Sequence, residues 1–219
     1  MPTTERSHMA KRKNLVSFLL DRTGSMSSIW TATVDGFNEF VKGQVSQDGY
    51  KTVWNLTVFD SESIDLIREG VKGKDMKPLP LDEVTPRSMT PLHDAIAKTV
   101  FATDKLAGDY DGVIFVILTD GLENASKEYD LVKVRDLIKT REEDGWQVIF
   151  LGANMDAYAV GIDYGIVRGQ TITFSPTVES VESTYGVVAA TTRSYAASGQ
   201  TVSTHHDTTS GKAEERENE

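Results

Sequence analysis

The apolar runs at residues 15–20 and 113–118 constrain the fold most, because each leads into an aspartate and a glycine-bearing turn. The first is followed by Asp21-Arg22-Thr23-Gly24-Ser25, the second by Thr119-Asp120-Gly121. Such a run, rich in β-branched, aromatic and aliphatic residues and stopped by a turn, suits a parallel strand covered on both faces. Both strings then sit where a strand ends and a loop begins. In open α/β sheets ligands bind at that carboxyl edge, above all where the strand order reverses. Two carboxylates, Asp21 and Asp120, with two hydroxyls from the same strings, would make an all-oxygen site for a hard divalent cation.

The rest of the chain reads as strands alternating with helices, which implies a mostly parallel six-stranded sheet with right-handed crossovers and helices on both faces. Ile29, Thr33, Phe37, Phe40 and Val41 recur at helical spacing, with Ser27 or Ser28 as the cap. A turn is expected at residues 47–49, a strand over 52–59, and a shorter antiparallel hairpin partner over 64–67 at the sheet edge. Residues 70–88 are polar, carry Pro78, Pro80 and Pro86, and read as a long loop of the kind that tends to be functional. Thr90 is then expected to cap a helix with Pro91 in its first position, directing Leu92, Ile96, Val100 and Leu106 to the core. Further helices are expected at 127–143, 156–160 and 178–197, and strands at 148–151 and 171–174. Residues 1–12 read as a flexible N-terminal tail, 13–198 as one α/β domain, and 199–219 as a disordered acidic tail in which His205 and His206 have no role. The basic run Lys11-Arg12-Lys13 reads as a solvated flank.

Composition narrows the function classes. No apolar stretch approaches the roughly 20 residues of a membrane-spanning helix, and the first residues lack the apolar core of a secretory signal. With no cysteine, disulfides, thiolate metal sites and cysteine nucleophiles are excluded, and a cytoplasmic protein is expected. Thirty-three acidic against 23 basic residues give a formal charge of −10, which disfavours nucleic acid and anionic membranes as partners and favours cations.

Taken together, Asp21-Arg22-Thr23-Gly24-Ser25-Met26, Met89-Thr90-Pro91-Leu92 and Leu118-Thr119-Asp120-Gly121 resemble the three parts of the metal-ion-dependent adhesion site of von Willebrand factor A domains. The resemblance covers about residues 13–197 and is to compact intracellular members of bacterial or phage type. It departs at Thr23, which replaces the first serine of the Asp-x-Ser-x-Ser pattern and keeps its hydroxyl. The resemblance implies a doubly wound, Rossmann-like sheet and a site of Asp21, Thr23, Ser25, Thr90 and Asp120. Thr23, Ser25 and Thr90 would ligate Mg²⁺, or Mn²⁺ or Ca²⁺, through their hydroxyls. Asp21 and Asp120 would act through bound water or as acceptors behind the ligands. An ion ligated mainly by neutral hydroxyls seeks one more anionic oxygen, so the implied function is capture of a protein partner through its Asp or Glu carboxylate. An AAA+ ATPase or an assembly component is the kind of partner such members serve.

Each piece alone has an ordinary reading: an aspartate at a strand end as a cap or turn residue, Thr90 as an N-cap, Gly24 and Gly121 as tight turns. His93 is expected at the surface or core edge. Glu123, Asn124, Asn154 and Asp156 lie on loops at the same edge, as recognition surface or as caps and turns. A haloacid-dehalogenase-type phosphohydrolase is the enzymatic alternative, but it needs a second carboxylate where Thr23 stands. Dinucleotide and phosphate-loop fingerprints are absent, so a non-enzymatic module is expected, with a scaffold holding a structural metal as the remaining alternative.

Overall fold

A computed structural model describes residues 11–45, 49–153, 155–175 and 177–204. Its strands are β1 (Arg12–Asp21), β2 (Tyr50–Phe59), β3 (Ile64–Lys72), β4 (Gly112–Thr119), β5 (Gln147–Ala153) and β6 (Thr171–Phe174). The helices are α1 (Trp30–Val45), α2 (Leu92–Ala107), α3 (Leu131–Glu143), α4 (Ala157–Asp163) and α5 (Val178–Ser198). All six strands form one sheet in the order β3-β2-β1-β4-β5-β6. Every pairing is parallel except β2 with β3, so the sheet has the one antiparallel edge strand expected of it.

Alternation along the apolar strands fills two cores at once. Val16, Phe18 and Leu20 of β1 face a layer built with α1 and α5. Leu15 and Leu19 face the opposite layer, built with α2, α3 and α4. Side chains of a strand alternate between faces, so a central strand with a helix layer on each side must be apolar at nearly every position. The helical stripe read from Ile29 to Val41 is buried as expected, and Phe37 and Phe40 stand edge-on to Phe18 and Trp54 with ring centroids 5.1 and 5.3 Å apart, respectively.

The structure differs from the sequence reading at several boundaries; α3, for one, begins at Leu131 rather than at residue 127, because the Asp130 side chain caps it by accepting from Lys133 N (2.9 Å). β3 continues to Lys72 rather than stopping at residue 67, because Asn55 Oδ1 accepts the Gly70 N–H (2.8 Å) across a register shift in the hairpin. β1 begins at Arg12, inside the expected tail, and the chain stays packed beyond α5 through Thr204. There the Gln147 side chain accepts from Val202 N (2.7 Å) and donates to Val202 O (3.1 Å), at the start of β5, ahead of its pairing with β6 from Phe150. The tails at 1–10 and 205–219, residues 47 and 48 of the expected turn, and Asn154 lie outside the described residues.

Helices α1 and α5 touch where Gly36 meets Tyr185. A methyl group on Gly36 would overlap the Tyr185 ring, which is buried and anchored by its hydroxyl donating to Thr33 O (3.1 Å). Gly36→Ala is therefore expected to destabilise the domain by about 1–3 kcal/mol through overpacking, read as a lower urea midpoint with an unchanged m-value.

Candidate metal centre

Strand order reverses between β1 and β4, which pair in register from Asn14–Gly112 to Leu20–Leu118. From β1 the chain winds outward through β2 and β3, and from β4 through β5 and β6, so the loops after β1 and β4 diverge and leave a crevice. Asp21 is the last residue of β1, and Asp120 directly follows β4. The sequence reading placed these two carboxylates on neighbouring strand ends at the reversal, and the fold puts them there.

Asp21 has no exposed surface. Its Oδ1 accepts the Thr23 N–H (2.6 Å), which curls the chain into the following loop, and its Oδ2 accepts the Thr119 hydroxyl (2.5 Å) from β4. The Ser25 hydroxyl donates to Asp120 Oδ1 (2.6 Å) and lies 3.2 Å from the Thr23 hydroxyl. Four of the five expected residues are thereby joined in one hydrogen-bonded chain. The fifth, Thr90, approaches through Gly121: a Cβ at that glycine would lie 2.9 Å from Thr90 Oγ1 and 3.7 Å from Ser25 Oγ. Gly121 is thus required by close approach of a hydroxyl, beyond the tight turn that its sequence context suggests. Burial is graded, with Asp21, Thr23 and Thr90 buried, Asp120 half-buried and Ser25 exposed, so the cluster opens outward at Ser25.

Two capping expectations are corrected. Residues Gly24–Ser28 form a 3-10 turn that buries Met26, and the Ser27 hydroxyl donates to Gly24 O (2.7 Å) instead of capping α1. Thr90 does not cap α2: Pro91 holds the N-cap position without a side-chain bond. The exposed N–H groups of that first turn go to the next loop instead, His93 N to Glu123 Oε2 (2.8 Å) and Asp94 N to Ser126 Oγ (3.1 Å). The Thr90 backbone is clamped by Asn124, whose Oδ1 accepts Thr90 N (2.9 Å) and whose N donates to Thr90 O (3.0 Å). The Thr90 hydroxyl makes no hydrogen bond among the described residues.

Glu123, Asn124 and Asp156 act as structural acceptors here, Asp156 by capping α4 at Ala159 N (3.1 Å). Burial pushes the Glu123 carboxyl up, but bonds from the Ser126 hydroxyl and from the N–H groups of His93 and Ser126 outweigh it and hold it below its ordinary range. His93 sits at the core edge as expected, its ring edge-on to Tyr164 at 5.7 Å.

The reading of the sequence missed the partners that steady this cluster. Arg22, beside Asp21, sends its guanidinium away to Asp60 (2.6 Å), Ser63 (2.6 Å) and Asp65 (2.8 Å), and Arg87 joins it on Asp60 (2.9 Å). Burial acts to raise the Asp60 carboxyl, but bonds from Arg87, Glu62 N and Ser63 N and the charge of Arg22 overcome it. Ser88 takes a left-handed φ of 60° so that its carbonyl accepts Gly24 N (3.1 Å), while Arg87 N donates to Arg22 O (2.8 Å). These contacts join the loop carrying Thr90 to the loop carrying Thr23 and Ser25. The only local signal for them is that Arg22 and Arg87 lie one and three residues from expected ligands.

Neither Asp21 nor Asp120 has an ion-pair partner among the described residues. Burial drives Asp21 up to about 6 against the bonds from Thr119 and Thr23, with the charge of Asp120 adding to the rise. Burial likewise raises Asp120, against the bond from Ser25. No group of three or more His, Cys, Asp or Glu side chains capable of holding a metal occurs among the described residues. The donor set is instead two carboxylates with three hydroxyls, and its negative charge has no cation beside it among the described residues. That oxygen set fits a hard divalent ion.

The metal-free protein should show this charge in its stability. Folded Asp21 keeps its proton up to about pH 6, whereas an unfolded aspartate loses it near 3.8, so the folded state binds more protons in that window and stability falls as pH rises through it. The shift corresponds to a loss on the order of 3 kcal/mol. Asp21→Asn keeps an acceptor for Thr23 N and can donate to the Thr119 hydroxyl. In the absence of metal it is expected to exceed wild type in stability near neutral pH by up to about 3 kcal/mol, with no difference below about pH 4, as measured by urea unfolding at both pH values.

No protein-family model and no curated protein matches this sequence. Solved structures do resemble it. Proximal thread matrix protein 1 from the mussel byssus is 13% identical with a TM-score of 0.62, over 82% of this chain and 46% of that one. This chain thus spans less than half the length of that protein, another structure of which has a zinc-occupied MIDAS motif. The vWF domain of the pilus tip protein Mfa5 from Porphyromonas gingivalis is 9% identical with a TM-score of 0.59, over 83% of this chain and 97% of that one. The SpRpn10 VWA domain is 11% identical with a TM-score of 0.60, over 80% of this chain and 94% of that one. At such low identities the likeness speaks to architecture, and with the strand order and edge pairing above it establishes that this chain has the von Willebrand factor A fold.

Proposed function

We propose that this chain is a non-enzymatic, metal-dependent protein-binding module, in which Asp21, Thr23, Ser25, Thr90 and Asp120 hold a Mg²⁺ ion that bridges to an Asp or Glu carboxylate of a partner. The observation that carries this reading is the convergence of three loops on an oxygen-only cluster, at the reversal of strand order, around a buried carboxylate that no cation among the described residues neutralises. When bound, the ion supplies a centre short of negative charge, with an affinity for one further anionic oxygen. This chain's own residues do the rest. Thr119 and Thr23 N orient Asp21, Ser25 and Asp120 position each other, and Asn124 fixes the Thr90 backbone.

The surroundings support a protein as the partner. Ser25 opens the cluster to solvent, and the exposed side chains Met89 and Leu122 adjoin Thr90 and Gly121 in the sequence. A charged centre with an apolar rim suits a protein surface presenting a carboxylate among apolar side chains. Catalysis is less well supported, because Thr23 stands where a haloacid-dehalogenase-type phosphohydrolase carries its acid, and its hydroxyl is 3.2 Å from Ser25. We place the module in the cytoplasm, in line with its cysteine-free composition; no helix among the described residues is long and apolar enough to cross a membrane. An AAA+ ATPase or an assembly component remains the partner class proposed.

Titration of Mg²⁺ and Mn²⁺ into chelator-stripped protein is expected to give one saturable site, lost in Ser25→Ala/Thr90→Ala. Asp21→Ala and Asp120→Ala should then abolish metal-dependent partner capture while near-ultraviolet circular dichroism shows an intact fold. Normal capture by both variants would refute the bridging role, and unfolding of wild type by chelation would assign the metal to structure instead.

A further inference from the structure

The layer between the sheet and α2 is apolar except for one buried patch. Leu15 and Leu19 of β1 and Val53 and Phe59 of β2 face this layer. Ser17, Asn55 and Thr57 fall between them on the same face, with Ser17 directly opposite Asn55 in the ladder. From α2 come Thr99 and Thr103, one helical turn apart. None of the five is more than 3% exposed.

The Ser17 and Thr103 hydroxyl oxygens are 2.7 Å apart, which turns this face of α2 onto β1. One flank of α2 meets α3 and the loop before it, through Asp94 on Lys127 N (2.9 Å) and Lys98 on Glu128 (2.7 Å). Thr99 is turned about 100° from Lys98, off that flank and towards the sheet. Because α2 runs antiparallel to the strands, Thr99 lies nearer the carboxyl edge than Thr103, just as Thr57 lies nearer that edge than Asn55. The donors and acceptors do not balance. Thr103 commits its one hydroxyl proton to Thr99 O (2.7 Å), so Ser17 is the donor to Thr103. Asn55 Oδ1 is taken by Gly70 N (2.8 Å). Asn55 Nδ2 and the hydroxyls of Thr57 and Thr99 are left without a hydrogen-bond partner among the described residues. A helical threonine ordinarily turns its hydroxyl back on the carbonyl four residues earlier. Thr103 does so and Thr99 does not.

We infer that Asn55, Thr57 and Thr99 hold an ordered internal water that bridges β2 to α2. Buried polar groups are almost always paired, with protein or with water, and three unpaired ones in a single layer would be costly. An amide that donates, with two hydroxyls that donate or accept, supplies the two to four polar partners such a water needs. The bridge has a consequence for the seating of α2. Apolar surfaces tolerate sliding, whereas a hydrogen-bonded bridge has one position along the helix axis. α2 begins two residues after Thr90, so the water helps to set where that loop leaves the carboxyl edge.

The test joins a high-resolution crystal structure of the wild type to urea midpoints of Thr57→Val, Thr99→Val and the double variant. Valine keeps the shape of threonine, so the fold is retained. The structure should show a water at roughly 2.7–3.2 Å from Asn55 Nδ2 and from both hydroxyls. Each single substitution should lower the midpoint by removing one partner of the water. The double variant should lose less than the sum of the two, since both act on one bridge. Direct bonds among these side chains, or a water reaching only β2 or only α2, would overturn the inference. So would additive midpoint shifts of either sign, and upward shifts would mean that the wild-type hydroxyls are dry.

Discussion

The buried Asp21 carboxylate is the constraint around which the carboxyl edge of the sheet is arranged. A carboxylate without exposed surface must be hydrogen-bonded, protonated or matched by a cation. Here Thr23 N and the Thr119 hydroxyl take one oxygen each, which ties β1 to β4 at the point where the sheet reverses. The described residues supply no cation, although an arginine is the very next residue. Arg22 turns the other way and is consumed by Asp60, Ser63 and Asp65. The fold thereby keeps its buried ion pair and its unneutralised carboxylate on adjacent residues yet electrically separate. Removing either partner of a buried pair leaves a charge stranded, so the Arg22–Asp60 contact also limits how far the Asp21 loop can shift.

Preorganisation of the centre comes from contacts between loops rather than within them. Gly24 N reaches Ser88 O, Arg87 N reaches Arg22 O, and Asn124 holds both backbone groups of Thr90. Glu123 and Ser126 serve the first turn of α2, which frees Thr90 from the capping task its sequence position suggests. Ser88 holds a left-handed backbone, which is uncommon for a residue with a side chain and is kept only where surrounding contacts fix it. Three loops that bond to one another move less independently than three that bond only to solvent, and the proposed ion site would need that rigidity.

The two ends of β1 carry opposite charge environments. Asp21 and Asp120 gather negative charge at the carboxyl edge, and Lys13 and Lys51 gather positive charge at the amino edge. Separated by the length of a ten-residue strand, about 30 Å, the two are screened from each other at physiological salt.

Much of the fold was legible in the sequence because its signals are local. Unbroken apolar runs mark strands buried on both faces, the Ile29-to-Val41 stripe marks α1, and aspartates ending two such runs mark the crevice. The long polar loop before Thr90 was legible in the same way. What escaped depends on residues far apart in the chain. Thr119 meets Asp21 across 98 positions, Arg22 meets Asp60 across 38, and Gln147 meets Val202 across 55. The extension of β3 to Lys72 escaped for a related reason, since an edge strand pairs on one side only and shows little hydrophobic pattern. The sequence by itself determined which strands and helices form, because burial on one or two faces leaves a period in the chain. Only the tertiary structure decided that Thr90 is released from capping, that Asp21 has no cation beside it among the described residues, and that Arg22 is turned away to Asp60. Electrostatics and hydrogen bonding act through space, and only packing brings those groups together.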